Sequence, residues 1–178
     1  MARLPVITEE IADEQTKQIF DAIKSKFGMV PNLFKGLANS SIALGAFLKL
    51  DEMISKSSFT PVEQDIVKLV ASQYNGCNYW LAAHTGSLSG QGLTSEDIIG
   101  FRNGKAKDNK YAALIIFTFK VLETKGHISD GEFQAFKGAG YSDAHAAEVT
   151  VIIAQKTLSN LFNHINDTEV DLPPAPEI

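Results

Sequence analysis

The amino-acid sequence predicts an all-α fold. Three observations carry this: apolar residues recur at three- and four-residue steps, helix-capping patterns stand at "TPVE" (Thr60 to Glu63) and "SDGE" (Ser129 to Glu132), and no stretch reads as a convincing strand. With 178 residues, 44% of them hydrophobic and 21% charged, the chain can bury one sizeable core. A single domain over residues 1–178 is expected. Its parts are N-terminal helices over 1–56, core helices over 60–125, C-terminal helices over 129–166 and an extended tail over 167–178.

Between Thr8 and Phe27 the residues Ile11, Ile19, Phe20, Ile23 and Phe27 keep helical spacing, with acids in the first turn and Gly28 as the stop. Pro31 and Asn32 break the chain before a short helical turn through Leu33, Phe34 and Leu37. A helix from Ser41 to Ile54 follows on Leu44, Phe47, Leu48 and Ile54. At Thr60 the threonine caps a first-turn amide, Pro61 fits the first helical position and Glu63 reaches back. The apolar face Val62, Ile66, Leu69, Val70 and Tyr74 carries this helix to Asn75-Gly76, a pair that tolerates positive φ. Cys77 opens the next helix, which runs to Ser89. Further helices are expected from Ser95, from Asp108 to Lys125, from Asp130 to Lys137 and from Ser142 to Ile165. The last shows Ala147, Val151, Ile152, Ala154, Leu158, Leu161 and Ile165 as its apolar stripe; "VTVII" is β-branched, but the surrounding period is 3.6 rather than 2. "GFRNGKAK", Gly100 to Lys107, reads as a solvated loop with Arg102 free to rim a site or a subunit contact. The prolines of "TEVDLPPAPEI" keep the tail out of a helix, lying extended over a neighbour or frayed.

The net charge of -5 offers no basic surface, so neither nucleic acid nor a membrane is expected as a partner. The longest apolar run, Tyr111 to Phe119, is too short to span a bilayer, and "MARLPVITEE" lacks a signal pattern, which reads as cytoplasmic. One cysteine permits no internal disulfide, and no CxxC or HExxH spacing offers a metal clip. His127, His145 and His164 share no ligand spacing, so no metal and no cofactor are expected.

The chemistry concentrates in "NGCNYWLAAHT", Asn75 to Thr85. A cysteine in the first turn of a helix faces free amide donors and the positive end of the helix dipole, a setting for a reactive thiol. On an ideal helix His84 neighbours position 80, whereas position 77 is separated from it by roughly 10 Å along the axis. The residues alone leave the bland reading open as well: a lone cysteine is most often a small buried hydrophobe, a lone histidine a packing residue, and Tyr79, Trp80 and Leu81 core.

The ordered set Asp65, Ser72, Asn75, Gly76, Cys77, Tyr79 and His84 in "DIVKLVASQYNGCNYWLAAHT" resembles the core motif of the carboxymuconolactone decarboxylase and AhpD-like alkylhydroperoxidase superfamily, especially its peroxidase-related branch. There, an acid is followed seven positions on by a small or hydroxyl residue, then by N-G-C-x-Y-C and a histidine four after the second cysteine. "FGMVPNLFKGLANS" and "AGYSDAHAAEVTVIIAQKTLSNLFNHINDTEVDLPPAP" resemble the family's segment before the core helix and its C-terminal helix and tail. The resemblance implies an AhpD-like helical fold with a core helical hairpin, assembling into homo-oligomers, trimers or hexamers. It also implies thiol-dependent reduction of alkyl hydroperoxides in antioxidant defence: the second cysteine attacks the peroxide, the first resolves it, and the acid and histidine relay protons. Trp80 stands at the peroxidatic position, so the standard two-cysteine cycle cannot run, and Asp65 stands where the family has glutamate. Glu63 is the weaker candidate acid because capping already explains it; with Ser72 and Tyr79 it is read as lining the pocket.

Three readings remain. In the first, Cys77 is oxidised by a hydroperoxide and reduced by an external thiol or reductase, with His84 and Asp65 assisting through bridging water. In the second, a cofactor-free decarboxylase uses His84 and Asp65 as acid and base on a small carboxylated lactone or related organic acid, and Trp80 lines an apolar pocket. Only Arg3 and Arg102 are available there as arginine anchors. In the third, the site has decayed, Trp80 fills the hole, and the chain is an assembly protein.

Overall fold

The computed structural model describes residues 2–178, and among them the chain forms nine helices: α1 (Glu14–Phe27), α2 (Asn32–Leu37), α3 (Ser41–Ile54), α4 (Pro61–Tyr74), α5 (Asn78–Gly90), α6 (Ser95–Arg102), α7 (Asn109–Glu123), α8 (Asp130–Gly138) and α9 (Asp143–Asn166). The capping box that begins α4 is complete: Thr60 Oγ1 accepts from Glu63 N at 3.3 Å, and Glu63 Oε2 accepts from Thr60 N at 2.9 Å. Asn75 closes α4, and Gly76 turns the chain at φ 67°, a left-handed conformation that glycine adopts without a Cβ clash. The turn delivers Cys77 as the N-cap residue of α5.

α4 is the axis of the molecule, packed against α5, α6, α7 and α9. Its residues Ile66, Val67, Leu69, Val70 and Ala71 are wholly buried, and each large side chain among them contributes roughly 1.5–3 kcal/mol of burial. Two apolar clusters result. One gathers α4 with Leu114, Ile115 and Phe117 of α7 and Val149 and Ile152 of α9. The other gathers Phe20, Leu33, Phe34, Leu44 and Phe47 of α1–α3 with Cys77 and Tyr79. α5 contributes to both, so its first two turns lie on the seam between them.

The structure corrects three sequence expectations and decides between two alternatives for the tail. α1 starts at Glu14 rather than Thr8, because Asp13 caps Thr16 N at 2.7 Å; Glu9, Glu10 and the exposed Ile11 precede it. Arg102 is not in a solvated loop: it ends α6, is buried, and donates to Gln73 Oε1 at 2.8 Å and to the Pro176 carbonyl. Of the two alternatives for the tail the structure shows the extended one, laid over its neighbours, since Asp171 accepts from Asn32 N at 2.8 Å and from the Tyr79 hydroxyl at 2.9 Å. The buried face of α9 is largely its polar one: Gln155, Lys156, Ser159, Asn160 and Asn163 point inward, while Val151, Leu161 and Ile165 of the expected stripe are exposed. No helix of the described residues is long and apolar enough to cross a membrane.

Candidate active site

The helical hairpin of α4 and α5 brings Asp65 and His84 into direct contact. Asp65 Oδ1 lies 3.1 Å from His84 Nδ1, and Asp65 Oδ2 accepts from Ser87 Oγ at 2.6 Å and Gln91 Nε2 at 2.7 Å. Ser87 and Gln91 are three and seven residues after His84, on the same face of α5. Burial pushes the Asp65 carboxyl up, but the His84 hydrogen bond and charge, with Ser87 and Lys68, outweigh it and hold the group well below the usual carboxylate range. Burial, reinforced by the charge of Lys156 and opposed by Asp65, pushes His84 down to about 4. At neutral pH the pair is therefore a carboxylate accepting from a neutral imidazole, Nδ1 carrying the proton. Nε2 is then a bare acceptor, buried and without a hydrogen-bond partner among the described residues. This is a base whose tautomer is fixed by an ionised acid, with no bridging water required between them.

Trp80 covers the base. Its ring stacks on His84 with centroids 5.0 Å apart and planes 13° from parallel, and packs on Phe47 at 6.0 Å. Its outer surface, with Phe27, Leu33, Phe34, Ala83 and Leu172, lines an almost wholly apolar cleft of ≈ 400 Å³. Against the indole also lies Lys156 of α9, its Nζ 3.0 Å from the ring centroid. Lys156 is 1% exposed and has no carboxylate within ion-pairing distance among the described residues. Burial, with the charge of Lys68, pushes the amine well below the ordinary lysine range.

Cys77 is separate from this dyad. It is 1% exposed, its side chain makes no capping hydrogen bond, and its sulfur receives the Asn163 Nδ2 donor at 3.7 Å. The remaining predicted site residues are engaged elsewhere. Glu63 caps Thr60, pairs with Lys110 Nζ at 2.9 Å and accepts from Tyr141 at 3.1 Å. Ser72 donates back to the Lys68 carbonyl at 2.8 Å. Tyr79, by contrast, lines the apolar cleft beside Trp80 and donates its hydroxyl to Asp171, and burial together with that carboxylate raises its phenol well above the usual range. The sequence reading missed Ser87, Gln91, Lys156 and Asn163. The first two share the helical face of His84 and were available to pattern reasoning. The last two reach the site from a helix that begins about sixty residues on, and nothing local marks them.

Residues 43–124 match the carboxymuconolactone decarboxylase family. No curated protein matches the sequence. The fold is that of the alkylhydroperoxidase AhpD core, an uncharacterized peroxidase-related protein from Ralstonia eutropha JMP134, at TM-score 0.88 and 22% identity, covering 96% of this chain and 92% of that one. It also matches an uncharacterized peroxidase-related protein from Silicibacter sp. TM1040 at TM-score 0.79 and 21% identity, covering 97% and 90%. A variant of the debrominase Bmp8, in complex with 2,3,4-tribromopyrrole, matches at TM-score 0.75 and 17% identity, covering 96% and 94%. At these identities the likeness establishes a shared fold and leaves the reaction to the site.

Proposed function

The chain belongs to the carboxymuconolactone decarboxylase and AhpD-like superfamily, and from that premise we propose that it is a cofactor-free acid–base enzyme acting on a small carboxylated lactone or related organic acid. The observation that carries this reading is the 3.1 Å contact between Asp65 and His84, which leaves Nε2 as a free buried acceptor. His84 takes the substrate proton at Nε2; Asp65 stays ionised, fixes the ring through Nδ1–H and stabilises the imidazolium that forms. Both arginines are committed to backbone carbonyls, Arg3 to Ile165 and Arg102 to Pro176, so the cationic group whose charge acts on the dyad from α4 is Lys68. Self-association belongs to the same proposal: Ile116, Leu161 and Ile165 are 53%, 55% and 65% exposed, apolar surface suited to a second copy.

Hydrogen–deuterium exchange into small lactone acids and 3-oxo acids, followed by NMR, tests the reading. Asp65→Asn is expected to lower exchange by about 10²–10⁴-fold through the wrong imidazole tautomer, and His84→Gln by at least as much. Exchange that is unchanged in His84→Gln overturns it. A second reading, single-thiol reduction of hydroperoxides at Cys77, is favoured by one observation, the Asn163 amide directed at the sulfur. One-oxygen addition at Cys77 after brief hydroperoxide exposure, reversed by added thiol and lost in Cys77→Ser, would transfer the assignment to it.

A further inference from the structure

Lys156 is used by none of the chemistry above, and its setting is unusual. It sits on the buried face of α9, with Nζ against the Trp80 ring and 5.6 Å from the Phe47 ring centroid. The charged and titratable groups that act on it are Lys68 and Asp65 of α4, Asp51 of α3, Cys77 at the start of α5, and His84, whose own titration it depresses. Lys68 leans away toward Asp51, at 3.9 Å. Six buried polar atoms on α5 and α9 have no hydrogen-bond partner among the described residues: Trp80 Nε1, His84 Nε2, Thr85 Oγ1, Gln155 Oε1, Asn160 Nδ2 and Asn163 Oδ1. Asn160 and Asn163 are one and two turns beyond Lys156 on the same face. Donors and acceptors left open in this way suit a small polar group brought in by a ligand.

We propose that Lys156 is a nucleophilic amine that forms a Schiff base with a small ketone or aldehyde entering from the apolar cleft. Desolvation beside aromatic rings and a second cationic lysine nearby are the two conditions that make a lysine amine nucleophilic near neutral pH. Trp80 supplies the access, because one side chain both lines the cleft and covers the amine, so its rotation joins the two. The Nζ lone pair attacks the carbonyl carbon; a C–N bond forms, and the π pair moves to oxygen, which takes up a proton. The carbinolamine then loses its hydroxyl as water while nitrogen gives up its protons and the C=N bond forms. Amine and carbonyl compound thus give imine and water, with no change of oxidation state.

The inference goes beyond the acid–base reading, and its test does not depend on it. The full-length protein is incubated at neutral pH with acetone and a borohydride, which reduces any imine to a stable isopropylamine, and the modified lysine is located by peptide mass mapping. Lys156 is expected to label at least about tenfold faster than the exposed Lys49, which is paired with Glu52. Lys68→Met is expected to move the pH of half-maximal labelling upward, and Lys156→Met to remove the fast site while the protein still melts cooperatively. Labelling of Lys156 no faster than Lys49, or none at all, overturns the proposal, whether the amine is protonated or closed off. Labelling that survives in Asp65→Asn, with proton exchange lost, would leave Lys156 standing and confine the change to the His84 dyad.

Discussion

Glu63 and Asp65 are two residues apart on α4, both buried, and they do opposite work. Glu63 is neutralised on every side: it caps α4, pairs with Lys110 and receives the Tyr141 hydroxyl, tying α4 to α7 and the start of α9. Asp65 receives Ser87, Gln91 and His84, and the histidine is neutral over the ordinary pH range. The buried amine nearby, Lys156, has no ion-pair partner among the described residues. Burial alone therefore does not mark a functional acid. What distinguishes Asp65 is a partner able to change its own protonation state.

Acid titration should separate the two regions most strongly. His84 is held near 4 in the fold against an ordinary 6.5, so on lowering the pH the unfolded chain takes up the proton first. Through His84, stability is then unaffected above about pH 6.5 and lost between about 6.5 and 4, on the order of 3 kcal/mol in all. Urea unfolding of the parent chain and His84→Gln across that window measures it as the difference between their slopes, and equal slopes would assign the loss to another group. The Glu63 region should answer to truncation instead. Glu63→Ala removes the cap partner and the closer acceptor of the Tyr141 hydroxyl, leaving it the Lys110 carbonyl at 3.3 Å, a loss of about 2 kcal/mol in which the Lys110 ammonium, half exposed, has little share. That loss should leave reductive labelling of Lys156 unchanged; altered labelling would mean the two regions are coupled.

The smallest effect has the opposite sign. Lys156 is protonated in the unfolded chain and disfavours protonation in the fold, so it weakens the fold at all pH values below the ordinary lysine value, more so toward lower pH. Lys156→Met should stabilise by about 1 kcal/mol at neutral pH, read as a melting temperature higher by roughly 2–4 °C. A lower melting temperature would mean that the amine has a stabilising partner after all.

Most of the fold was legible because its punctuation is local. The boxes at Thr60 and Ser129 and the stops at Gly28 and Asn75-Gly76 each act within one turn of helix, and all four hold. The Thr8 start failed for an equally local reason, a stronger cap five residues on at Asp13. The α9 reading failed because apolar periodicity assumes an apolar interior, and this helix turns Lys156, Ser159, Asn160 and Asn163 inward toward the seam where the dyad sits. Asp65 and His84 are picked out by the resemblance of their ordered motif to the carboxymuconolactone decarboxylase and AhpD-like superfamily, not by helical periodicity alone. That Lys156 reaches the same ring could not be picked out, because the contact spans α5 and α9 and no local pattern encodes it.

Trp80 has one more consequence. It is the only tryptophan in the chain, so the protein's indole emission comes from the site and from nowhere else. Protonation of the stacked imidazole, a ligand entering the cleft or a reaction at the amine each alters the surroundings of that one fluorophore. The side chain that covers the imidazole thus gives the molecule an optical probe of its own site, readable without a label.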